Sequence, residues 1–289
     1  MSGLSGQAEI TITKPDGRQI KQVIKNNIVD NVYNELRGQI VSSGDDYISG
    51  GLIPTRIKIT LNTGAVYLAP SSNVSDGGIS LGTNVYAEYS ILTAPTGATF
   101  DTGGGPIDGY VSRVDLMAEN GTTIVATADT SNNTFTPTST GIATDDVIDD
   151  NDTVSCTYRI QFQGYTDSSQ EYVHRLLRTI QGTAQNITMS IYRLTDDDGD
   201  QLKTGELSVA GLTTDDGTNA YTILGTVITA KVPDTPVNLE ILTSDSIRIM
   251  NKDLLTGLGN DTDLETFSDG DTVIVPFEFT LTQLITAVT

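Results

Sequence analysis

The sequence predicts a mainly β protein with one helix per repeat: two tandem β-sandwich-like (α+β) domains related by internal duplication. Three observations carry this. Apolar residues alternate with Thr, Ser and Asn in many short runs, the period of half-buried strands. Only two stretches shift to helical spacing. The elements that follow the first helix then recur, in the same order, after the second.

The chain opens as a hairpin over residues 1–25. AEITIT alternates, KPDGRQ turns through Pro15, Asp16 and Gly17, and IKQVIK returns. The period then changes. In NNIVDNVYNELRGQIV, Ile28, Val32, Leu36 and Ile40 recur every fourth residue, which predicts a helix capped by Asn26 or Asn27. RIKITL reads as a strand, followed by a Gly- and Ser-rich loop and then the strand phrase GTNVYAEYSILTA at 82–94. GYVSRVDLMAENGTTIVATA is a hairpin with Asn120 and Gly121 at its tip. An acidic, Thr-rich stretch leads to DTVSCTYRIQFQ.

The second pass begins at SSQEYVHRLLRTIQG. Ser168 and Glu171 have capping-box spacing, Val173, Leu176, Leu177 and Ile180 form one face, and Gly182 supplies the stop. NITMSIYRL follows as a strand, then an acidic loop and GTNAYTILGTVITA at 217–230, a near copy of the earlier phrase. VNLEILTSDSIRIM turns at Ser244 and Asp245, and GDTVIVPFEFTLT closes the unit. The matched anchors are the helices, Tyr86 with Tyr221, Thr93-Ala94 with Thr229-Ala230, and Asp152-Thr153-Val154 with Asp271-Thr272-Val273. This sets repeat 1 at 26–165 and repeat 2 at 166–289. Each phrase is expected to fill the slot against the helix of its own repeat.

Charge narrows the function. The chain has 37 Asp and Glu against 16 Lys and Arg, a net charge of −21. Such a surface repels nucleic acid and anionic membranes. It suits concentrated salt, which points to a halophilic setting. No run approaches the ~20 apolar residues needed to span a bilayer. The opening MSGLSGQAEI has no basic or apolar signal region, so a secretory signal is not expected. The six N-x-[ST] sites, at Asn73, Asn120, Asn132, Asn151, Asn186 and Asn260, therefore carry little weight.

No catalytic set and no cofactor site is expected. Cys156 is the only cysteine and sits in an alternating run, so it reads as a small buried hydrophobe. His174, the only histidine, falls at the edge of the second helix's apolar stripe and reads as a solvent or interface residue rather than a base. Neither a G-x-S-x-G elbow nor a phosphate-cradling glycine motif is present, and DTGGGPIDG reads as a wide turn. A carboxylate pair for glycoside hydrolysis could sit among the many acids, but no pair stands out. Asp196, Asp198 and Asp200 in TDDDGDQLKTGE are the candidates for a structural Ca²⁺ or Na⁺. An EF-hand register from Asp196 fails, because Gln201 and Leu207 replace its Gly and Glu. DDVIDDNDT and GNDTDLETFSDGDT are similar acidic clusters before each final strand.

DGRQIKQVIKNNIVDNVYNEL, RIKITLNTG, NVYAEYSILTA and TYRIQFQ together resemble tailed-virus structural proteins of the tail, baseplate or capsid surface. In that family a hairpin and helix lead to an Ile-rich strand and later Tyr strands. This chain departs from the pattern at Asn62, where a glycine is usual. The resemblance implies a non-enzymatic virion component, made in the host cytoplasm. Its partners would be copies of itself, other virion proteins, and a host receptor or glycan. Loops 62–80, 96–108, 131–150 and 211–218 would then make subunit or receptor contacts. The strand Glu9, Ile10, Thr11, Ile12 and Thr13 would be an open edge for strand addition between subunits. The alternative is a carbohydrate-binding or adhesion module of cellular origin, against which the lack of Trp counts.

Overall fold

The computed structural model describes residues 3–28, 30–41, 52–81, 86–93, 96–97, 100–129, 147–163, 168–208, 212–217, 220–230, 236–254 and 272–283. The first half contains β1 (Gly3–Thr13), β2 (Gln19–Ile28), α1 (Asp30–Val41), β3 (Pro54–Leu61), β4 (Val66–Leu68), β5 (Val74–Leu81) and β6 (Tyr86–Thr93). It continues through β7 (Thr96–Gly97), β8 (Asp108–Gly109), β9 (Val111–Ala118), β10 (Ile124–Asp129), β11 (Ile148–Asp149) and β12 (Thr153–Gln163). The second half contains α2 (Gln170–Ile180), β13 (Ile191–Thr195), β14 (Gln201–Glu206) and β15 (Thr213–Gly217). It ends with β16 (Ala220–Ala230), β17 (Asn238–Leu242), β18 (Arg248–Asp253) and β19 (Thr272–Gln283). The protein is mainly β, built from antiparallel sheets with two α-helices among the described residues.

Strand order is the same in both halves. The first has the antiparallel runs β4-β3-β9-β10 and β5-β6-β12; the second has β14-β13-β17-β18 and β15-β16-β19. A charge pair occupies the same rung in each: Lys58 lies opposite Asp115 across β3–β9, and Arg193 opposite Glu240 across β13–β17. The segment before each helix also lands alike. Asn26–Ile28 pair with Ala126–Ala128 of β10. Ser169 donates its N–H to Arg248 O (2.9 Å), and Ser168 Oγ donates to Ile249 O (2.5 Å) on β18.

Among the described residues, the N-terminal hairpin has no counterpart in the second half. β1 pairs with β12 along Gly3–Thr13 and with β2 over Gly6–Thr13. At Gly3 and Leu4 it also meets Thr282 and Gln283 of β19 in parallel. The strand Glu9, Ile10, Thr11, Ile12 and Thr13 is therefore an interior strand, not the expected open edge, because β12 occupies the side that the local hairpin leaves free. Ala8, Ile10 and Ile12 alternate into the core and are fully buried.

Two local expectations also change. Asn26 and Asn27 belong to β2, so the first helix begins at Asp30. Ile28 fits the four-residue spacing, yet its burial comes from a strand crossing to β10. The cap of α2 is Ser169, whose Oγ accepts the Tyr172 N–H (3.2 Å), while Ser168 is committed to β18. The stop at Gly182 holds: its φ is +88°, with Gly182 N–H bonded to Thr179 O and Thr183 N–H to Arg178 O. These are the two bonds of a Schellman turn.

The two helices exchange partners. α1 packs on β16 of the second half, and α2 on β5 and β6 of the first. Tyr33 of α1 stacks on Tyr221 of β16, with ring centroids 4.7 Å apart and planes 6° from parallel. The C-terminal carbonyls of α1 are satisfied from the second half: Met189 N–H donates to Ile40 O (2.8 Å) and Thr188 Oγ1 to Gln39 O (3.0 Å). At the end of α2, Gln181 Nε2 donates to Asp76 of β5, and a Cβ on Gly182 would meet Ile53 at 2.6 Å. The expectation that each phrase strand meets its own helix is thus corrected. One buried apolar cluster runs through both halves, from Leu4 to Leu281.

Candidate functional site

The most enclosed polar cluster among the described residues lies where β1 ends and β12 begins. Their register pairs Thr13 with Thr153, so Lys14 and Asp152 stand on the next rung. Lys14 is 8 % exposed and Asp152 fully buried. Lys14 Nζ donates to Val147 O (2.6 Å), Asp152 Oδ2 (2.7 Å) and Asp149 Oδ2 (3.1 Å). Asp152 Oδ2 also accepts the Asp149 N–H (2.8 Å), while its Oδ1 is buried with no hydrogen-bond partner. Burial works to lower the Lys14 pKa, but the hydrogen bonds from Asp152 and Asp149 outweigh it, and the pKa is raised.

The platform beneath this cluster is rigid. β11 pairs with β8, matching Ile148 with Gly109 and Asp149 with Asp108. Asp150 Oδ1 accepts the Ile107 N–H (2.9 Å). Asn62, the residue that departs from the usual glycine, bonds Tyr110 twice: through its N–H to Tyr110 O and through its Oδ1 to Tyr110 N–H, both 2.9 Å. At Asp149 and Asp152 the cation between the carboxylates is the ammonium of Lys14. Asp145 and Asp146 of that acidic run, and the cluster at 259–271, lie outside the described residues.

Asp196, Asp198 and Asp200 do not converge on a cation. Asp196 Oδ1 accepts the Asp200 N–H (2.8 Å) and Asp196 N–H donates to Asp200 O (3.1 Å), so this acid closes its own turn. Asp198 and Asp200 are exposed. Among the described residues, no three acids, histidines or cysteines are grouped to hold a metal.

His174 sits on α2 with Arg178 Nε donating to its Nε2 (3.3 Å) and Glu171 Oε2 3.9 Å from its Nδ1. Its neighbour Arg175 organises more of the surface. It bonds Asp245 twice (2.8 and 3.0 Å), Glu171 Oε1 (3.2 Å) and Asn186 O (3.1 Å). The Arg175 guanidinium holds the Asp245 carboxyl down at about 2. Cys156 is buried, as its alternating run implied, and burial pushes its thiol up to about 12.

A second feature is the outward face of β16 and β19. Ile228 and Ile274 stand opposite each other and are 65 % and 63 % exposed, with Leu224 and Pro276 exposed beside them. Among the described residues, the far edge of β19 is paired only at Thr282 and Gln283. Pro276 offers that edge no N–H, and Lys252 Nζ covers the Pro276 carbonyl (2.6 Å). Of the four loops expected to make contacts, 62–80 carries β4 and most of β5, 96–108 folds through glycines at positive φ, and 211–218 carries β15. Residues 131–146 of the fourth, 131–150, lie outside the described part.

Sequence reasoning missed the Lys14–Asp152 pair and the helix exchange. The signal for the first was present as a lysine ending the first strand and an acid run opening the strand that pairs with it. No described helix is long and apolar enough to cross a membrane. No family model, curated protein or solved structure matches the chain.

Proposed function

We propose that this chain is a non-enzymatic structural component of a tailed-virus particle, on the tail, baseplate or capsid surface, assembled as a homo-oligomer among other virion proteins. We read it as two tandem β-sandwich-like modules, repeat 1 at 26–165 and repeat 2 at 166–289, related by internal duplication behind the N-terminal hairpin. The observation that carries this reading is the doubled strand order, with each pre-helix segment bonded to the same outer strand. Duplicated β modules let one chain fill two similar positions in a symmetric layer. The segments that carry the viral resemblance form the hairpin turn, β2, α1, β3, β6 and β12.

Such a component needs contact surface beyond its own core. The exposed Leu224, Ile228 and Ile274 and the edge strands β5 and β15 supply it, and β1 does not. The acidic surface suits concentrated salt, so the melting temperature is expected to rise with KCl. Mass photometry of the purified chain tests the reading. A closed oligomer of fixed size is the expected result. A monomer at every concentration that binds a glycan array would replace it with the adhesion module.

A further inference from the structure

We propose that Lys14 and Asp152 form an intramolecular isopeptide bond, with Asp149 carrying the proton. The inference rests on the geometry of the cluster and is independent of the viral reading. A hydrogen bond of 2.7 Å from Lys14 Nζ to Asp152 Oδ2 puts the carboxyl carbon near the ~3.5 Å separation of a near-attack pair. Both side chains are buried, which keeps water from competing, and a second carboxylate touches the same nitrogen. The residues lie 138 positions apart, on neighbouring strands held in register by β1–β12 pairing.

The step balances within the cluster. The resting ion pair holds three protons on Nζ. One passes by way of Asp149 Oδ2 to Oδ1 of Asp152, leaving a neutral amine beside a neutral carboxyl group, and the amine lone pair attacks Cγ. A second proton leaves the new C–N centre, again by way of Asp149, for Oδ1. The Cγ–Oδ1 bond breaks with its electron pair, and one water departs. The product is a neutral amide; Asp149 ends as it began, and no other reactant enters.

The unpaired Oδ1 fits the product better than the ion pair. Oδ1, the oxygen that leaves, is the buried atom without a partner. Oδ2 stays as the amide oxygen and keeps the Asp149 N–H. The one remaining proton on Nζ points to a carbonyl that already accepts from it, Val147 O. Condensation therefore removes two buried charges and one unsatisfied oxygen; the bond it costs is the 3.1 Å contact to Asp149, whose side chain is 63 % exposed and open to water. It would tie the first and last strands of the first half together covalently, which a chain with one cysteine cannot do by a disulfide.

Denaturing intact-mass spectrometry of the folded full chain tests this. The expected mass is one water below that of the sequence, and digestion should yield a branched peptide joining Lys14 to Asp152. Lys14→Arg and Asp152→Ala should each show their full sequence mass. Asp152→Asn should lose ammonia in place of water. Asp149→Asn should form the bond at least tenfold more slowly in a time course after refolding. Wild-type protein that keeps its full sequence mass overturns the proposal. So does a water loss that maps to an Asp–Gly dipeptide such as Asp16-Gly17 or Asp198-Gly199, the signature of a succinimide. An unslowed Asp149→Asn removes Asp149 from the step.

Discussion

β12 and β19 each end a three-strand run, β5-β6-β12 and β15-β16-β19, and meet different surroundings. β12 has β6 on one side and β1 on the other. β19 has β16 on one side, and β1 reaches it only at Gly3 and Leu4. The outward residues of β12, such as Ser155 and Thr157, are half-buried, whereas Ile274 on β19 is largely exposed. One added hairpin therefore explains most of the asymmetry. It completes the first half and leaves the second with an edge guarded by one proline and one lysine. The helices work the other way. By packing on each other's halves they make two similar units depend on one another.

The largest effect tests that dependence. Tyr33→Ala removes a fully buried ring from the α1–β16 stack and is expected to cost about 3–5 kcal/mol. Tyr172 on α2 is the control within one half, packed edge-on to Phe279 of β19 at 6.4 Å with its hydroxyl on Ile187 O. Tyr172→Ala should cost a similar amount. In urea titrations both variants should keep one transition; a split into two would break the interlock.

The edge comes next. Pro276→Thr with Lys252→Ala restores an N–H and uncovers a carbonyl on β19. Stability should shift by about 1 kcal/mol. Static light scattering should show more self-association, and an unchanged second virial coefficient would mean this edge is closed in some other way.

Acid should act on both halves. Arg175 keeps Asp245 ionised down to about 2, and Arg159 and Lys21 lower the pKa of Glu9 in β1. Both folded values lie below the unfolded ones. Their stabilisation is full above the unfolded pKa, 3.8 for Asp245 and 4.5 for Glu9, and is lost as pH falls through the folded values. Asp245 is half exposed, so Asp245→Asn should cost less than about 1 kcal/mol at neutral pH. The pH dependence of its melting temperature between pH 4 and pH 2 should flatten. Lys14 has the opposite sign: its raised pKa gives stability that is present below 10.5 and lost as pH rises through the folded value. That alkaline loss should be absent from protein in which Lys14 is joined to Asp152. The smallest effect is at the exposed pair, where Ile228→Thr or Ile274→Thr should change stability by no more than about 0.5 kcal/mol. Either should weaken oligomer formation in mass photometry.

Much of this fold was legible from local pattern. The alternation of AEITIT marked a strand, whose Ala8, Ile10 and Ile12 are buried, and the glycine at 182 marked the end of α2. Local pattern could not say which surface a strand or helix meets. The period that placed Val32 and Leu36 on one face gave no hint that the face belongs to β16. The edge expected at Glu9–Thr13 failed because its second neighbour, β12, comes from far along the chain. Ile28 misled because burial every fourth residue fits both the end of a strand and the start of a helix. The repeated phrase held a similar trap. Tyr221 and Thr229 are eight residues apart, but Tyr86 and Thr93 are seven apart. With a period of two, both pairs cannot be equivalent. Thr93 and Thr229 are both buried, so theirs is the match that packing favours.

The interdependence of the halves can be read directly from the lone thiol. Cys156 lies in the first half, and Ile241 is fully buried in β17 of the second. Ile241→Ala should therefore raise the native-state labelling rate of Cys156 by the same factor as it raises the unfolding equilibrium constant. A labelling rate that stays at the wild-type value while the second half loses stability would show two units that merely touch.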